Sequence, residues 1–258
     1  MEHFTNPFGL GDLSSVRAIE NRRFYDEMLG RARQHRFFSH PFLSSFEQSS
    51  SRELVSFVLT TFYGVVSPFT GLLCTLAGQA PNLRSRFALM DNIFEEMGRG
   101  DLTAAHPSLY LKMLASIGVG GDAAESMTVL PAIEQINKHL REVVERRHFS
   151  IACAVLASAE ATIPPSFSVF TRGALNAFPD IDTTFFDRHG RRDQGHSDDA
   201  AMLFAVTSDS SHFPAVEAEV MRDLEYRSEL FDDWNARRAR GGAHLGATEA
   251  NSQAWESC

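Results

Sequence analysis

Two histidines and an aspartate form the most informative cluster of chemically active residues in the sequence. His189, Asp193 and His196 lie four and then three residues apart within the segment FFDRHGRRDQGHSDDAAMLF. If the segment is helical, their side chains share one helix face with apolar residues of the flanking turns. Burying such groups without partners costs several kcal/mol, so the face predicts either a metal site or a solvent-exposed charged segment. Gly190 and Gly195 lower the helix propensity, and the segment alone leaves both interpretations open.

A single carboxylate, that of Glu160, interrupts a long apolar segment. Between residues 150 and 178 the only charged side chains are those of Glu160 and Arg172. A buried carboxylate needs a cation, a metal ion or a proton. Glu160 is therefore a candidate metal ligand, unless its side chain reaches the surface near Pro164 or pairs with Arg172.

A third cluster contains Glu95, Glu96, Asp101 and His106, in the segment NIFEEMGRGDLTAAHPSLY. Glu96 ends one predicted helix and His106 begins the next. Two glycines between them can fold the chain back, so that Glu96 and His106 reach a common point. Taken alone, the cluster is equally explained as an acidic helix end followed by a histidine, and that simpler explanation is favoured.

Together the three places provide enough donor groups for two metal ions. The predicted ligands are three carboxylates and three imidazoles: Glu96, His106, Glu160, His189, Asp193 and His196. Mixed oxygen and nitrogen donors suit iron, manganese or zinc better than calcium or magnesium. Carboxylate-bridged di-iron sites are built from ligands on facing helices of a bundle, and the set predicts a redox centre that uses dioxygen.

A competing ligand motif is present. Glu145 and His148 have the ExxH spacing of ferritin-like di-metal bundles. Such bundles need two ExxH elements, whereas the sequence has one, in a charged segment. Ferritin-like ligation is therefore disfavoured.

The overall composition favours small-molecule chemistry in the cytoplasm. The net charge of -9 argues against a nucleic-acid-binding face, which needs clustered lysine and arginine. The three cysteines form no CxxC pair and no disulfide framework. The N-terminal residues lack the basic and apolar regions of a signal peptide.

The pattern of apolar residues predicts an all-α protein. Residues 54–83 carry no charge, but their many polar and helix-breaking residues favour a central helix of the protein over a membrane span, with a break at Pro68. Pro164 and Pro165 predict a second break. About seven helices are expected to form one bundle-like domain over residues 1–238, followed by a flexible tail at 239–258.

The spacing of the candidate ligands resembles that of a known family. The His189-x3-Asp193-x2-His196 motif, preceded by two phenylalanines, is similar to the C-terminal ligand motif of the haem-oxygenase-like di-iron oxidases and oxygenases. Glu160 resembles the Glu on the middle helix of that family, and EEMGRGDLTAAH resembles its first ligand element. The resemblance covers about His40 to Phe231 and implies a haem-oxygenase-like bundle, two Fe(II) ions and O2 as co-substrate.

The resemblance also implies a range of oxidative reactions in specialised metabolism. The ten-residue separation of Glu96 and His106 resembles the branch that oxygenates nitrogen in amines, and N-oxygenation is the leading expectation. That branch can have a further Glu on the preceding core helix, where residues 54–83 offer no acid, which implies a six-ligand site or another outcome. Desaturation or oxidative C–C cleavage of an amino acid or fatty acid is the alternative.

Further functional features stay open at the sequence level. The six predicted ligands divide as Glu96, His106 and His189 on one iron, Asp193 and His196 on the other, and Glu160 between them. A metal-free small-molecule binding protein on the same bundle is the alternative from another functional class. The sequence predicts no membrane partner and leaves an external electron donor and a homodimer open.

Overall fold

Alpha-helices make up most of the described chain. The computed structural model describes residues 9–49 and 51–240, with all of their side chains except those of residues 49, 189–194 and 196. The helices are α1 (Val16–Ala32), α2 (Pro41–Ser49), α3 (Arg52–Val66), α4 (Phe69–Gly78), α5 (Leu83–Glu96), α6 (His106–Ser116), α7 (Gly121–Glu125), α8 (Pro131–Arg146), α9 (Phe149–Ala177), α10 (Thr184–Thr207) and α11 (Phe213–Ala239). Short 3₁₀ helices lie at Arg36–Ser39, Gly98–Gly100, Leu102–Ala104 and Ser210–His212. No strand occurs in the described ranges, which confirms the all-α prediction.

Capping residues fix the starts of helices α1 and α5. The Ser15 hydroxyl accepts a hydrogen bond from the Ala18 amide at 3.2 Å, and the Asn82 side chain accepts one from the Ser85 amide at 2.9 Å. Pro68 separates α3 from α4, as expected. The predicted helix count of about seven is lower than the observed one because the sequence pattern does not separate short helices such as α2 and α7.

The predicted break at Pro164 and Pro165 is wrong. Helix α9 continues through both prolines, which lie inside its 29 residues. Each proline lacks an N–H group, so the carbonyls of Glu160 and Ala161 lose their usual intrahelical donors, at a cost of about 3 kcal/mol per proline. Extensive packing of α9 against α10 and α2 offsets that cost.

Helix α9 lies at the centre of the fold. It packs along α10 and also contacts α2, α8 and α11. Side chains on every face of its N-terminal half are buried. The predicted tail starts at residue 239, which is the last residue of α11. Residues 241–258 lie outside the described residues.

Two stretches of the described chain are long and apolar enough to cross a membrane by length and composition alone. In Arg52–Gly78 and Phe149–Ala177, 44% and 67% of the most apolar window is buried inside the protein. Buried core helices meet the same criterion, so these stretches are weak evidence for a membrane span.

Candidate metal centre

The turn between α5 and α6 brings Glu96 and His106 together. Glu96 is the last residue of α5 and His106 the first of α6, and both side chains are buried. Glu96 Oε2 lies 2.7 Å from His106 Nδ1. Gly98 has a positive φ of 71°, and a Cβ atom there would lie 2.6 Å from the backbone carbon of Ala104. Only glycine fits this close approach, which explains how ten residues fold back on themselves.

Glu160 faces the same cavity from α9. Its side chain is buried, so the alternative in which it reaches the surface near Pro164 does not occur. The suggested pairing with Arg172 does not occur, because the Arg172 guanidinium instead contacts Glu47, with 2.5 Å between Nε and Oε1. Arg172 is thus a surface ion-pair residue that ties α9 to α2.

Helix α10 runs beside this site. The Phe185 ring packs edge-on against the His106 ring, with 6.3 Å between the ring centres. His189, Asp193 and His196 follow Phe185 within the same helix, but their side chains lie outside the described residues. Among the side chains that are described, no three His, Cys, Asp or Glu groups lie close enough to hold one ion.

The described donors fit iron in chemical type. Two carboxylates and one imidazole, from α5, α6 and α9, line one buried space. Glu96 Oε2 and His106 Nδ1 lie 2.7 Å apart, so the two donor atoms would face a common ion. Mixed oxygen and nitrogen donors of this kind favour iron, manganese or zinc.

The space that these donors share is an apolar cavity. Its empty volume, including the open mouth, is about 930 Å³. Apolar side chains from α3, α4, α8, α9, α10, α11 and the 3₁₀ helix Arg36–Ser39 form most of the wall. The aromatic ones are Phe37, Phe62, Phe69, Phe167, Phe170, Phe185 and Phe231. The residues of α3 and α4 that reach the cavity carry no acid, in agreement with the sequence.

Arg227 is a cavity residue that the sequence analysis does not single out. Its Nε lies 2.8 Å from Asp223 Oδ2, and its Nη1 lies 3.5 Å from the carbonyl oxygen of Ala159, the residue before Glu160. Arg227 therefore brings a positive charge to the apolar cavity. A signal was present: Arg227 follows Val220 by seven residues and precedes Phe231 by four, so it shares their inward helix face.

Tyr25 is a second buried polar residue beyond the sequence prediction. Burial raises the pKa of its phenol to about 12, and the nearby Glu160 carboxylate contributes in the same direction. The Ser158 hydroxyl donates toward the Tyr25 oxygen at 3.5 Å. The phenol keeps its proton and links α1 to the part of α9 that holds Glu160. No spacing or neighbouring residue in the sequence marks it.

The competing motif takes no part in the cavity. Glu145 is exposed on α8, and the His148 ring nitrogen accepts a hydrogen bond from the Ser150 amide at the start of α9. Asp101 caps the following short helix through Thr103. Glu95 pairs with Arg99. These residues have structural roles.

Comparison with known proteins agrees with the chemistry of the donor set. A family model described as "iron-containing redox enzyme" matches residues 56–232. Among curated proteins, the chain is 26% identical over 204 residues to the 4-chloro-allylglycine synthase of Streptantibioticus cattleyicolor, covering 76% of each protein.

Solved structures show the same fold at low sequence identity. A CADD-like protein of unknown function from Nostoc punctiforme superposes with a TM-score of 0.72 and 14% identity, over 85% of this chain and 98% of that one. A domain with a haem-oxygenase-like fold from Shewanella denitrificans gives a TM-score of 0.68 and 15% identity, over 89% and 97%. The predicted haem-oxygenase-like bundle is confirmed.

Proposed function

Because the chain belongs to the family of iron-containing redox enzymes, we propose that it oxidises a carboxylate-bearing small molecule with O2 at a non-haem di-iron centre. The substrate class is an amino acid or a fatty acid, and the reaction is desaturation or oxidative C–C cleavage. One observation carries the proposal: Glu96, His106 and Glu160 converge on an apolar cavity that also contains the cation of Arg227.

The predicted ligands divide between described and undescribed side chains. Glu96, His106 and Glu160 would hold iron from α5, α6 and α9, and His189, Asp193 and His196 would complete the two sites from α10. In the proposed division, Glu96, His106 and His189 would hold one ion, Asp193 and His196 would hold the other, and Glu160 would complete the centre from α9. When bound, the two Fe(II) ions supply the electrons that activate O2.

The cavity wall keeps water away from the reacting atoms. Rings such as those of Phe62, Phe167 and Phe185 surround the buried donors. The substrate is therefore oxidised in a dry space, where side reactions with water are slow. They also provide contacts for an alkyl or other apolar substrate tail. If the substrate loses two hydrogens, O2 is reduced to hydrogen peroxide, or to water when an external donor provides two further electrons.

Arg227 supports a substrate that carries a carboxylate. A guanidinium forms two parallel hydrogen bonds to a carboxylate, and Asp223 holds it in place through Nε. An amine substrate would need a carboxylate partner. In the described part of the cavity the only carboxylates are those of Glu96 and Glu160, and both are assigned to iron. The name of the Streptantibioticus relative describes an unsaturated amino acid, which also supports oxidation at carbon.

N-oxygenation of an amine is the second candidate function. The ten-residue separation of Glu96 and His106, with the two side chains in contact, favours it. The apolar residues that α3 and α4 contribute to the cavity count against it, because they leave no place for the additional Glu ligand of that branch. The mass of the product distinguishes the two reactions.

The metal proposal is tested by iron content. Anaerobic titration should load two Fe(II) per chain, and Glu160→Ala or His106→Ala should lose at least one ion while circular dichroism stays unchanged. Glu145→Ala, which removes an exposed Glu of the competing motif, is the matched control and should keep both ions. No stoichiometric uptake by the unmodified protein would reject the proposal in favour of a metal-free binding protein.

The reaction is tested by mass spectrometry of the iron-loaded protein exposed to O2 with amino acids, fatty acids and amines. Loss of two hydrogens or of carbon is expected, whereas gain of one oxygen on nitrogen would instead establish N-oxygenation. Arg227→Gln should raise KM for a carboxylate substrate tenfold to a hundredfold, as expected for a lost charged hydrogen bond of about 1.5–3 kcal/mol, with iron content unchanged. Arg222→Gln, on the exposed face of α11, is the control; equal KM values in both variants would refute the role of Arg227.

A further inference from the structure

One polar side chain of the cavity, that of Ser166, has no role in the proposed reaction. Among the described residues that line the cavity, the polar side chains are those of Glu96, His106, Glu160, Ser166 and Arg227. The first three are assigned to iron, and Arg227 is assigned to a substrate carboxylate. Ser166 is only 4% exposed and lies six residues after Glu160 on α9.

The Ser166 hydroxyl differs from other hydroxyls of the same helix. Those of Ser158, Thr162 and Thr171 each donate to a carbonyl oxygen three or four residues earlier, at 2.7–3.0 Å. Such bonds are the usual way in which a hydroxyl inside a helix is satisfied. The Ser166 hydroxyl makes no such bond, and no described residue gives it another hydrogen-bond partner. Because a buried hydroxyl needs a partner and this one borders the cavity, a molecule in the cavity can provide it.

Helix geometry places Ser166 in line with the end of the cavity where Arg227 lies. Arg227 Nη1 is 3.5 Å from the carbonyl oxygen of Ala159, seven residues before Ser166. At 100° per residue, Ala159 and Ser166 lie about 20° apart around the helix axis. Ile163 lies between them on the same strip and also lines the cavity. Seven residues at about 1.5 Å each put Ser166 about 10 Å along α9 from the Arg227 end.

We propose that Ser166 selects a substrate that carries, besides its carboxylate, an uncharged hydrogen-bonding group such as a hydroxyl or an amide. The carboxylate lies at Arg227, the chain passes Ile163, and the second group reaches the Ser166 hydroxyl. An extended chain advances about 1.2 Å per bond, and hydrogen bonds at both ends take up part of the 10 Å, so roughly six to eight bonds separate the two groups. The position of the carboxylate comes from the proposed function, on which this inference rests.

The surroundings of Ser166 favour an uncharged group over an ammonium. The cavity-lining residues beside it on α9 are Ile163, Phe167 and Phe170, and all three are apolar. An ammonium held by one hydroxyl among such residues would keep an uncompensated buried charge. A hydroxyl or an amide needs only a hydrogen bond, which a serine can both donate and accept. Ser166 therefore distinguishes a substituted acid from a plain alkyl acid of the same length.

Equilibrium binding tests Ser166 separately from the reaction. Calorimetric titration of the anaerobic, iron-loaded protein measures Kd for 7-hydroxyheptanoate, whose hydroxyl is seven bonds from the carboxylate carbon, and for heptanoate. Ser166→Ala should weaken binding of 7-hydroxyheptanoate about fivefold to tenfold, as expected for one uncharged hydrogen bond, and leave heptanoate unchanged. Alanine is a good helix former, so the fold is kept. Ser168→Ala, at an exposed position on the same helix, is the matched control and should change neither Kd.

The Arg227→Gln variant separates failure of this inference from failure of the proposed function. It should weaken both acids alike; if it weakens neither, the carboxylate-binding role of Arg227 is wrong. If it weakens both while Ser166→Ala affects the two acids equally or not at all, only the role of Ser166 is overturned. Tighter binding of 7-aminoheptanoate than of 7-hydroxyheptanoate would overturn the choice of an uncharged group. No binding of 7-hydroxyheptanoate up to about 10 mM would overturn the whole inference.

Discussion

Gly173 should respond to substitution in the opposite sense to an ordinary helical glycine. It lies inside α9, where a Cβ atom would stand 2.6 Å from Cδ1 and Cε1 of the Phe46 ring and 2.9 Å from the Phe46 carbonyl oxygen. In an open helix position, Gly→Ala stabilises a protein by about 0.5–1 kcal/mol. Here the ring could rotate away but the backbone oxygen cannot, so α2 and α9 must move apart.

The expected net effect of Gly173→Ala follows from two opposing terms. Overpacking a close contact costs about 1–3 kcal/mol. The gain in helix propensity, about 0.5–1 kcal/mol, is smaller than this cost. A loss of about 1–2 kcal/mol corresponds to a fall of roughly 2–8 °C in Tm for a chain of this size. Gly30→Ala in α1, where no atom lies within 4 Å of the added Cβ, should instead gain about 0.5–1 kcal/mol.

Calorimetry and denaturant unfolding measure both variants, and the double variant Gly173→Ala with Phe46→Leu tests the contact itself. Leucine relieves the clash with the ring but not the clash with the carbonyl oxygen. The double variant should therefore be more stable than the sum of the two single changes predicts, without recovering all of the stability that Gly173→Ala loses. If Gly173→Ala were as stable as Gly30→Ala, the close packing of α2 on α9 would be refuted.

Three further variants test the turn, the core and the acidic surface. Gly98→Ala should destabilise the protein by more than about 2 kcal/mol, because its φ is positive and its Cβ would meet backbone, and iron content should fall with it. Tyr110→Phe should cost about 1 kcal/mol in urea unfolding, since it removes the 2.7 Å hydrogen bond to the Leu59 carbonyl. The pKa of Asp199 is raised from 3.8 to about 6, so the folded chain keeps a proton that the unfolded chain releases, and stability falls as pH rises through that window. Asp199→Asn should therefore add about 1 kcal/mol at pH 7, discounted for partial exposure, and nothing at pH 3.5.

Each of these variants has an outcome that contradicts the reasoning. Unchanged iron uptake and stability in Gly98→Ala would mean that the turn tolerates a side chain. A neutral Tyr110→Phe would indicate that water or another donor replaces the phenol. A pH-independent gain in Asp199→Asn would show that the gain has a source other than the proton.

The sequence by itself determined the helices and the kinds of chemistry available. Periodic apolar residues and caps such as Ser15 and Asn82 act locally, so residues within each segment set where α1 and α5 begin. The glycine-rich turn that joins Glu96 to His106 is also a local property, and the structure brings these two side chains into contact. The buried setting of Glu160 follows from the uncharged segment around it.

Tertiary structure decided the features that depend on which helices meet. Packing on α10 and α2 carries α9 through Pro164 and Pro165, against local propensity. Arg227 reaches the cavity only because α11 lies against α9, and Arg172 is drawn to α2 by Glu47. Local sequence sets the conformational preference of a segment, but the partner of a buried charge is set by contacts between residues distant in the chain. For this protein those contacts decide which cation faces the proposed substrate.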